Sequence, residues 1–428
     1  MSALVAGEKT QGTPQGPLGR GFGLLFAGAV TSRFGDANRI VALALLAATL
    51  SRDPRMVSLI AVMTFLPWLL FGLIAGALVD RMDRRRAFLA SDLGRAAIAT
   101  LLCAAVLSGR AGLWMLAAAA FALGTLQTIS DSCFTAMLPQ VVPRARLPRA
   151  NARLSAAQSA IGRLAGSPAG SALFAVRSAL PFAVDAASFA VAAGCVAATR
   201  VERLPRSPQP RSLRGLLTDV GEGMRHLWRA TRIRTLVITV AAMNAASGAL
   251  QAVLPLFALY VLRVPIGRYG WLSATTAAAM IAGNLLAGRM QRSLDGLAVA
   301  SAAVTVQVLG FAAIAAAHSE LLLFVGLGVN GFTAGLWNVP STSVLMAETA
   351  PAFMGRVSSA YSTIALGAAP LGALVGGGAA AAFGFRAVFG GGAVIVAVAA
   401  AGLILLNRPS LLRAARGDAA TGSSGSPR

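Results

Sequence analysis

Arg33, Asp36 and Arg39 stand at i, i+3 and i+6 inside one long apolar run. On a helix they share a face, and Asp36 can pair with either arginine. An ionisable side chain at the middle of a membrane-spanning helix costs roughly 2.5–3.5 kcal/mol on insertion scales, so charges kept there are candidates for moving protons or ions. Asp131, Arg163, Asp185 and Glu348 are further charges within or at the end of apolar runs. The chemistry open to this set is reversible protonation, with Asp36 as carrier, Arg33 or Arg39 as its partner, and Arg163 facing Asp131 or a cavity. Static ion pairs would use the same residue types, and Asp185 reads most simply as an anchor at the outer end of its helix. Other chemistries lack their parts. His226 and His318 are far apart and no Ser, His and Asp set gathers, so no metal centre, cofactor or hydrolytic site is expected. No phosphate-binding Gly-rich loop is present, which excludes direct use of ATP. Cys103, Cys133 and Cys195 all fall in apolar runs without a Cys-x-x-Cys, so no disulfide framework is expected.

The elements that must position these charges are membrane helices. Of 428 residues, 56% are hydrophobic and 12% charged, against about 25% charged in a soluble domain. The mean hydropathy is +0.71. The apolar residues come in runs of roughly twenty, the length that crosses about 30 Å of hydrocarbon with every backbone polar group satisfied within the segment. Twelve such runs are expected, six from about Phe22 to Thr199 and six from about Thr235 to Asn407. The expected organisation is a polar N-terminal segment (1–20), a first six-helix bundle (21–199), a linker (200–234), a second bundle (235–407) and a disordered tail (408–428). The linker holds nine arginines, three prolines and the amphipathic stretch Leu213–Trp228. The first apolar run lacks a small-residue cleavage site and reads as an uncleaved helix.

The formal net charge of +22 is an orientation signal. Nucleic-acid binders gather basic residues on a polar face with interleaved aromatics, whereas here the arginines lie between apolar runs. With both termini inside, 26 basic residues fall on the cytoplasmic side and seven outside, the bias that sets topology in a cell's inner membrane. A repeat divides the chain in two. LPQVVP (Leu138–Pro143) followed by ARLSA (Ala152–Ala156) is echoed by MAETAP (Met346–Pro351) followed by GRVSS (Gly355–Ser359), and Pro168-Ala169-Gly170 by Pro370-Leu371-Gly372. Halves related by an axis along the membrane normal are the plan of one large transporter class.

The string GALVDRMDRRR, Gly76 to Arg86, joins helices 2 and 3. Positive-inside anchoring accounts for its arginines but not for Asp80, which can form charge-assisted pairs that latch two bundles together. This string resembles the loop G-x-L-x-D-R-x-G-R-R of the major facilitator superfamily. Gly76, Leu78, Asp80, Arg81, Arg84 and Arg85 match it, and Asp83 replaces a Gly. The downstream Asp92-Leu93-x-Arg95, with TSRFGDA (Thr31–Ala37) and PFAVDAASF (Pro181–Phe189), resembles the branch containing macrolide and enterobactin exporters. The resemblance implies an all-α integral membrane fold of twelve transmembrane helices in two pseudo-symmetric six-helix halves, with Asp80 and Arg84 as a cytoplasmic gate pair.

In helix 5, Gly162, Gly166, Pro168 and Gly170 are similar to the antiporter motif G-x-x-x-G-P-x-x-G-G, with Pro168 one place late and Ser171 closing the string. Pro168 is expected to kink the helix, and ordinary close packing would also use these small residues. The arginine of drug antiporters in helix 4 is absent from Phe121–Thr128. The resemblance implies a cavity lined by helices 1, 4, 7 and 10, where Gln127, Asn244, Gln251, Trp337 and Asn338 are the candidate contacts. Amides in a mostly apolar pocket suit amphipathic molecules better than sugars or phosphates. The expectation is a monomeric secondary transporter exporting a drug-like, natural-product or siderophore molecule against protons, with lipid around it and no nucleic acid. A facilitator or importer with the same fold, or an integral-membrane lipid-modifying enzyme, are the alternatives.

Overall fold

The computed structural model describes residues 18–79, 82–199, 213–350 and 353–417. The described residues form helices and short connections only. The first half comprises α1 (Arg20–Leu50), α2 (Pro54–Val79), α3 (Arg84–Leu107), α4 (Leu113–Val141), α5 (Leu147–Ser159), α6 (Ser167–Val176) and α7 (Leu180–Ala198). Next comes α8 (Leu213–Arg229). The second half comprises α9 (Thr231–Leu256), α10 (Ile266–Met290), α11 (Gly296–Ala315), α12 (Glu320–Glu348), α13 (Met354–Phe383) and α14 (Phe385–Gly417). A π-helical segment, Ala160–Gly166, joins α5 to α6 into one continuous span, and a second, Phe257–Val261, extends α9. The chain therefore crosses twelve times, with α8 beside the bundle.

Nine of these helices are long and apolar enough to span a membrane on length and composition alone. The other three crossings fall short for visible reasons. α1 carries Arg33, Asp36 and Arg39, the α5–α6 span is divided by its π-turn, and α10 is diluted by Gly, Ser, Thr and Asn. The outward faces are apolar: Leu101, Trp114, Leu321 and Phe383 are each more than 70% exposed, the distribution expected where the solvent is lipid and the backbone is satisfied within each helix.

The two halves repeat one packing pattern. α1 packs on α7 and on the α5–α6 span, α2 on α4, and α3 on α4 and α7; in the second half α9 packs on α14 and α13, α10 on α12, and α11 on α12 and α14. The halves meet through α2 with α13 and α6 with α10, pairs that the same two-fold relation interchanges. Lipid tails are as apolar as Leu, so these contacts depend on close approach of small residues. A Cβ on Gly170 would come within 2.8 Å of Asn38 Cα, and one on Gly372, its repeat counterpart, would collide with the Ala245 carbonyl.

At the end of the bundle away from the arginine-rich loops the halves are tied together. The Tyr260 hydroxyl donates to Ala48 O (2.9 Å), Arg52 lies over the Tyr260 ring, and Ser171 Oγ donates to Gly267 O (2.9 Å). A cavity of about 560 Å³ between α1, α2, α4 and α5 has Val79, Ala136 and Leu154 at its arginine-rich end. α14 runs on to Gly417, past the Asn407 at which its span was expected to end.

Candidate functional site: a buried charge network

Four helices deliver charge to one place in the first half. α1 contributes Arg33, Asp36 and Arg39; α3 contributes Asp92 and Arg95; α4 contributes Ser130 and Asp131; α7 contributes Asp185. The approach of α1 to α7 depends on Gly35, where a Cβ would come within 2.8 Å of Asp185 Oδ1. Asp36 is the hub. Arg39 Nη2 and Arg95 Nη2 both donate to its Oδ1, at 2.8 and 2.6 Å. Arg95 Nη1 donates to Asp92 Oδ1 (3.2 Å), which also accepts from Ser130 Oγ (2.9 Å). Arg39 Nε lies 3.0 Å from Asp185 Oδ2, an ion pair without hydrogen-bond alignment. The Arg95 guanidinium stacks 3.9 Å from the Phe189 ring centroid, a cation–π contact that gains strength where water is excluded.

The network ends at the cavity. Arg33 Nη2 donates to Asp131 Oδ1 (2.8 Å), and Arg33 Nη1 is 4.0 Å from Asp36 Oδ2. The Arg33 and Asp131 side chains are 30% and 31% exposed, whereas that of Asp36 is 6%, and both of the former line the 560 Å³ cavity with Trp68 and Gln158. Four carboxylates thus meet three guanidiniums. Asp92 Oδ2, Asp131 Oδ2 and Asp185 Oδ1 have no hydrogen-bond partner, a costly arrangement in a low dielectric unless a charge or proton completes it.

Several expectations need correction. Arg163 does not face Asp131: it sits on the π-turn with Nη1 4.0 Å from Met280 Sδ, and Arg33 takes the Asp131 carboxylate instead. Asp185 is no outer anchor but wholly buried against Arg39. Asp36 does pair with Arg39, one of its two expected partners, and Arg33 lies at 4.0 Å, but Arg95 is a second close partner that was not expected. The irregularity in the fifth span is a π-turn at Ala160–Gly166 directly before Pro168, which widens the helix where the proline ring would clash with a preceding carbonyl. Gly166 and Gly170 there lie against α1 at Ala37 and Asn38, and Gly162 faces the Arg33 carbonyl.

In the joining loop, Asp80 and Arg81 lie outside the described residues, so the expected Asp80–Arg84 pair cannot be placed; Gly76 falls in α2. Arg84 and Arg85 point to carbonyls at the far ends of α4 and α7, Ala136 O and Val196 O, where cations complement helix dipoles. Asp83, the departure from the loop pattern, caps α3 by accepting from Arg85 N and Arg86 N. Glu348 pairs with Arg232 at 3.0 Å. Asn244, Trp337 and Asn338 line a second cavity, about 330 Å³, in the second half. Gln127 is buried in α4 and Gln251 is exposed on α9, and neither lines it.

Residues 25–365 match the sequence model of the Major Facilitator Superfamily. The chain belongs to that superfamily. As a member of this family of membrane transporters it is 29% identical over 411 residues to the multidrug efflux pump Tap of Mycobacterium tuberculosis, covering 92% of this chain and 94% of Tap. It is 22% identical over 325 residues to macrolide efflux protein A of Streptococcus pyogenes, covering 74% and 79%. Among solved structures, the nucleoside transporter NupG matches with a TM-score of 0.72 at 12% identity, covering 90% of this chain and 99% of NupG. A bacterial homologue of the iron transporter ferroportin, in an inward-facing state, matches with a TM-score of 0.70 at 15% identity, covering 91% and 99%.

Two members of the network, Asp92 and Arg95, were legible only as letters of a superfamily motif. Their own signal was available: an acid and an arginine one helical turn apart, well inside an apolar run.

Proposed function

We propose that this transporter exports small amphipathic molecules in exchange for protons, by alternating access in a cell's inner membrane, as a monomer with both termini in the cytoplasm. The observation that carries the reading is the network of four carboxylates and three guanidiniums, of which only the Arg33–Asp131 pair reaches the cavity. One proton balances the set, and Asp131 is its best carrier. Asp36 is 6% exposed and is shared by Arg39 and Arg95 away from the cavity, whereas Asp131 keeps one oxygen without a partner and borders the cavity. Protonating Asp131 releases Arg33, so the ion pair has two arrangements that a proton and a substrate can bias in opposite directions.

The arginine count supports placing the loops of α2–α3 and α4–α5 in the cytoplasm. In that orientation the end tied by Tyr260 and Ser171 is external and the structure is inward-facing. Relatives named as efflux pumps support export as the direction. The test uses purified protein in liposomes with an imposed pH gradient and ethidium as the probe. Wild-type protein accumulates ethidium at the expense of the gradient, and Asp131→Asn loses this accumulation while still exchanging ethidium across vesicles without a gradient. Gradient-driven accumulation that persists in Asp131→Asn overturns the assignment, and wild-type equilibration without accumulation favours a facilitator.

A further inference from the structure

The cavity in the second half carries no charged residue. Its walls come from α9 (Met243, Asn244), α12 (Trp337, Asn338) and α13 (Tyr361), and at its back from Gln307 of α11, a helix that otherwise packs on α12 and α14. Gln307 and Trp337 are each 2% exposed, and Gln307 Oε1 and Trp337 Nε1 have no hydrogen-bond partner. The Tyr361 hydroxyl stands beside Trp337 and Ser341, yet no aligned bond reaches the indole N–H. Buried polar groups are ordinarily paired, and each one left unpaired bears its full desolvation penalty. Here a strong donor and a strong acceptor are left unpaired on the same small cavity. Asn244, on the same cavity, donates its Nδ2 to Ala365 O at 2.8 Å and partners neither Gln307 Oε1 nor Trp337 Nε1.

We infer that this cavity is a binding subsite for the uncharged polar group of the transported molecule: an acceptor, such as a carbonyl or hydroxyl oxygen, receives the Trp337 N–H, and a hydroxyl or amide hydrogen goes to Gln307 Oε1. The apolar body rests on Met243 and the Trp337 ring. A cation without donors or acceptors makes no hydrogen bond with either group, and no carboxylate lines the cavity to balance its charge. The inference rests on the transporter reading but assigns a substrate class to a place that the proton network does not touch.

Equilibrium binding in detergent, with no gradient, separates its failure from failure of the proton assignment. The probes are chloramphenicol and hydrocortisone, neutral amphiphiles with hydroxyl and carbonyl groups, and tetraphenylphosphonium, a cation without donors. Trp337→Phe removes the indole N–H together with part of the ring, and Gln307→Met removes the amide oxygen and nitrogen while keeping the bulk. Each variant is expected to lower the neutral-to-cation affinity ratio about tenfold, the loss of one well-made hydrogen bond. The melting temperature of free Gln307→Met stays level or rises, because an unpaired buried group has been replaced by an apolar one of similar shape. A fall in melting temperature for both variants with an unchanged ratio assigns the pair a structural role and overturns the inference. An unchanged ratio at unchanged stability, or wild-type protein that binds neither neutral probe, overturns it as well.

Discussion

The two halves share a helix plan and differ in what they bury. Gly170 lies on the Asn38 backbone and Gly372 on the Ala245 backbone, so the repeat sets Asp36 and Arg39 opposite Met243 and Ala246. The first half encloses seven charges at the positions that face its neighbours. The corresponding positions on α9 are apolar, and the second half places amides and an indole around its own cavity. The same backbone packing therefore tolerates either a salt-bridged core or a neutral one, because small residues at helix crossings determine the approach of the helices. The difference separates two tasks: charge balance is confined to one half, and neutral recognition to the other.

The largest expected contrast breaks this division directly. Arg95→Met leaves Asp92 with only its Ser130 hydrogen bond and Asp36 with one of its two close arginines, and is expected to cost about 3–5 kcal/mol, as removal of one partner from a buried ion pair does, while Gln307→Met in the other half costs nothing measurable. Thermal unfolding of both variants in the same detergent reads the difference; equal losses would show that the charges are no more interdependent than the amides. A smaller effect is expected at the shared crossings. Gly170→Ala and Gly372→Ala each push a Cβ into backbone, more closely at Gly372, and should each destabilise by about 1–3 kcal/mol, so a melting shift in only one of them would mean that the two halves do not pack alike. The smallest contrast lies at equivalent helix starts. Asp83 caps α3, whereas Asp295, at the start of α11, makes no side-chain cap bond. Asp83→Ala is expected to cost about 1 kcal/mol and Asp295→Ala close to none, measurable by amide exchange at the first turns of α3 and α11.

The twelve crossings were legible because hydrocarbon thickness and backbone satisfaction impose a run length that survives any tertiary arrangement. The face shared by Asp36 and Arg39 was legible for a similar reason, since i, i+3 spacing acts within one helix. The partners across helices were not. An arginine side chain reaches far enough to choose among several carboxylates, and the choice depends on how α1, α3, α4 and α7 are rotated against one another. Arg33 takes Asp131, Arg39 takes Asp36 and Asp185, and Arg95 takes Asp36 and Asp92. Gln307 was invisible for another reason. A lone glutamine in an apolar run carries no periodic signal, and only the packing of α11 on α12 and α14 brings it to a cavity.

By itself the sequence determined the number of crossings, the family, the half-to-half repeat and the presence of charges too costly to be incidental, all properties of single segments in a fixed solvent. The tertiary structure alone decided that seven of those charges form one network, that only Arg33 and Asp131 meet the cavity, and that an indole N–H and an amide oxygen from different helices are left to face a guest. Those outcomes depend on helix rotation and depth, which small-residue packing sets to within an ångström and which no one-dimensional pattern encodes.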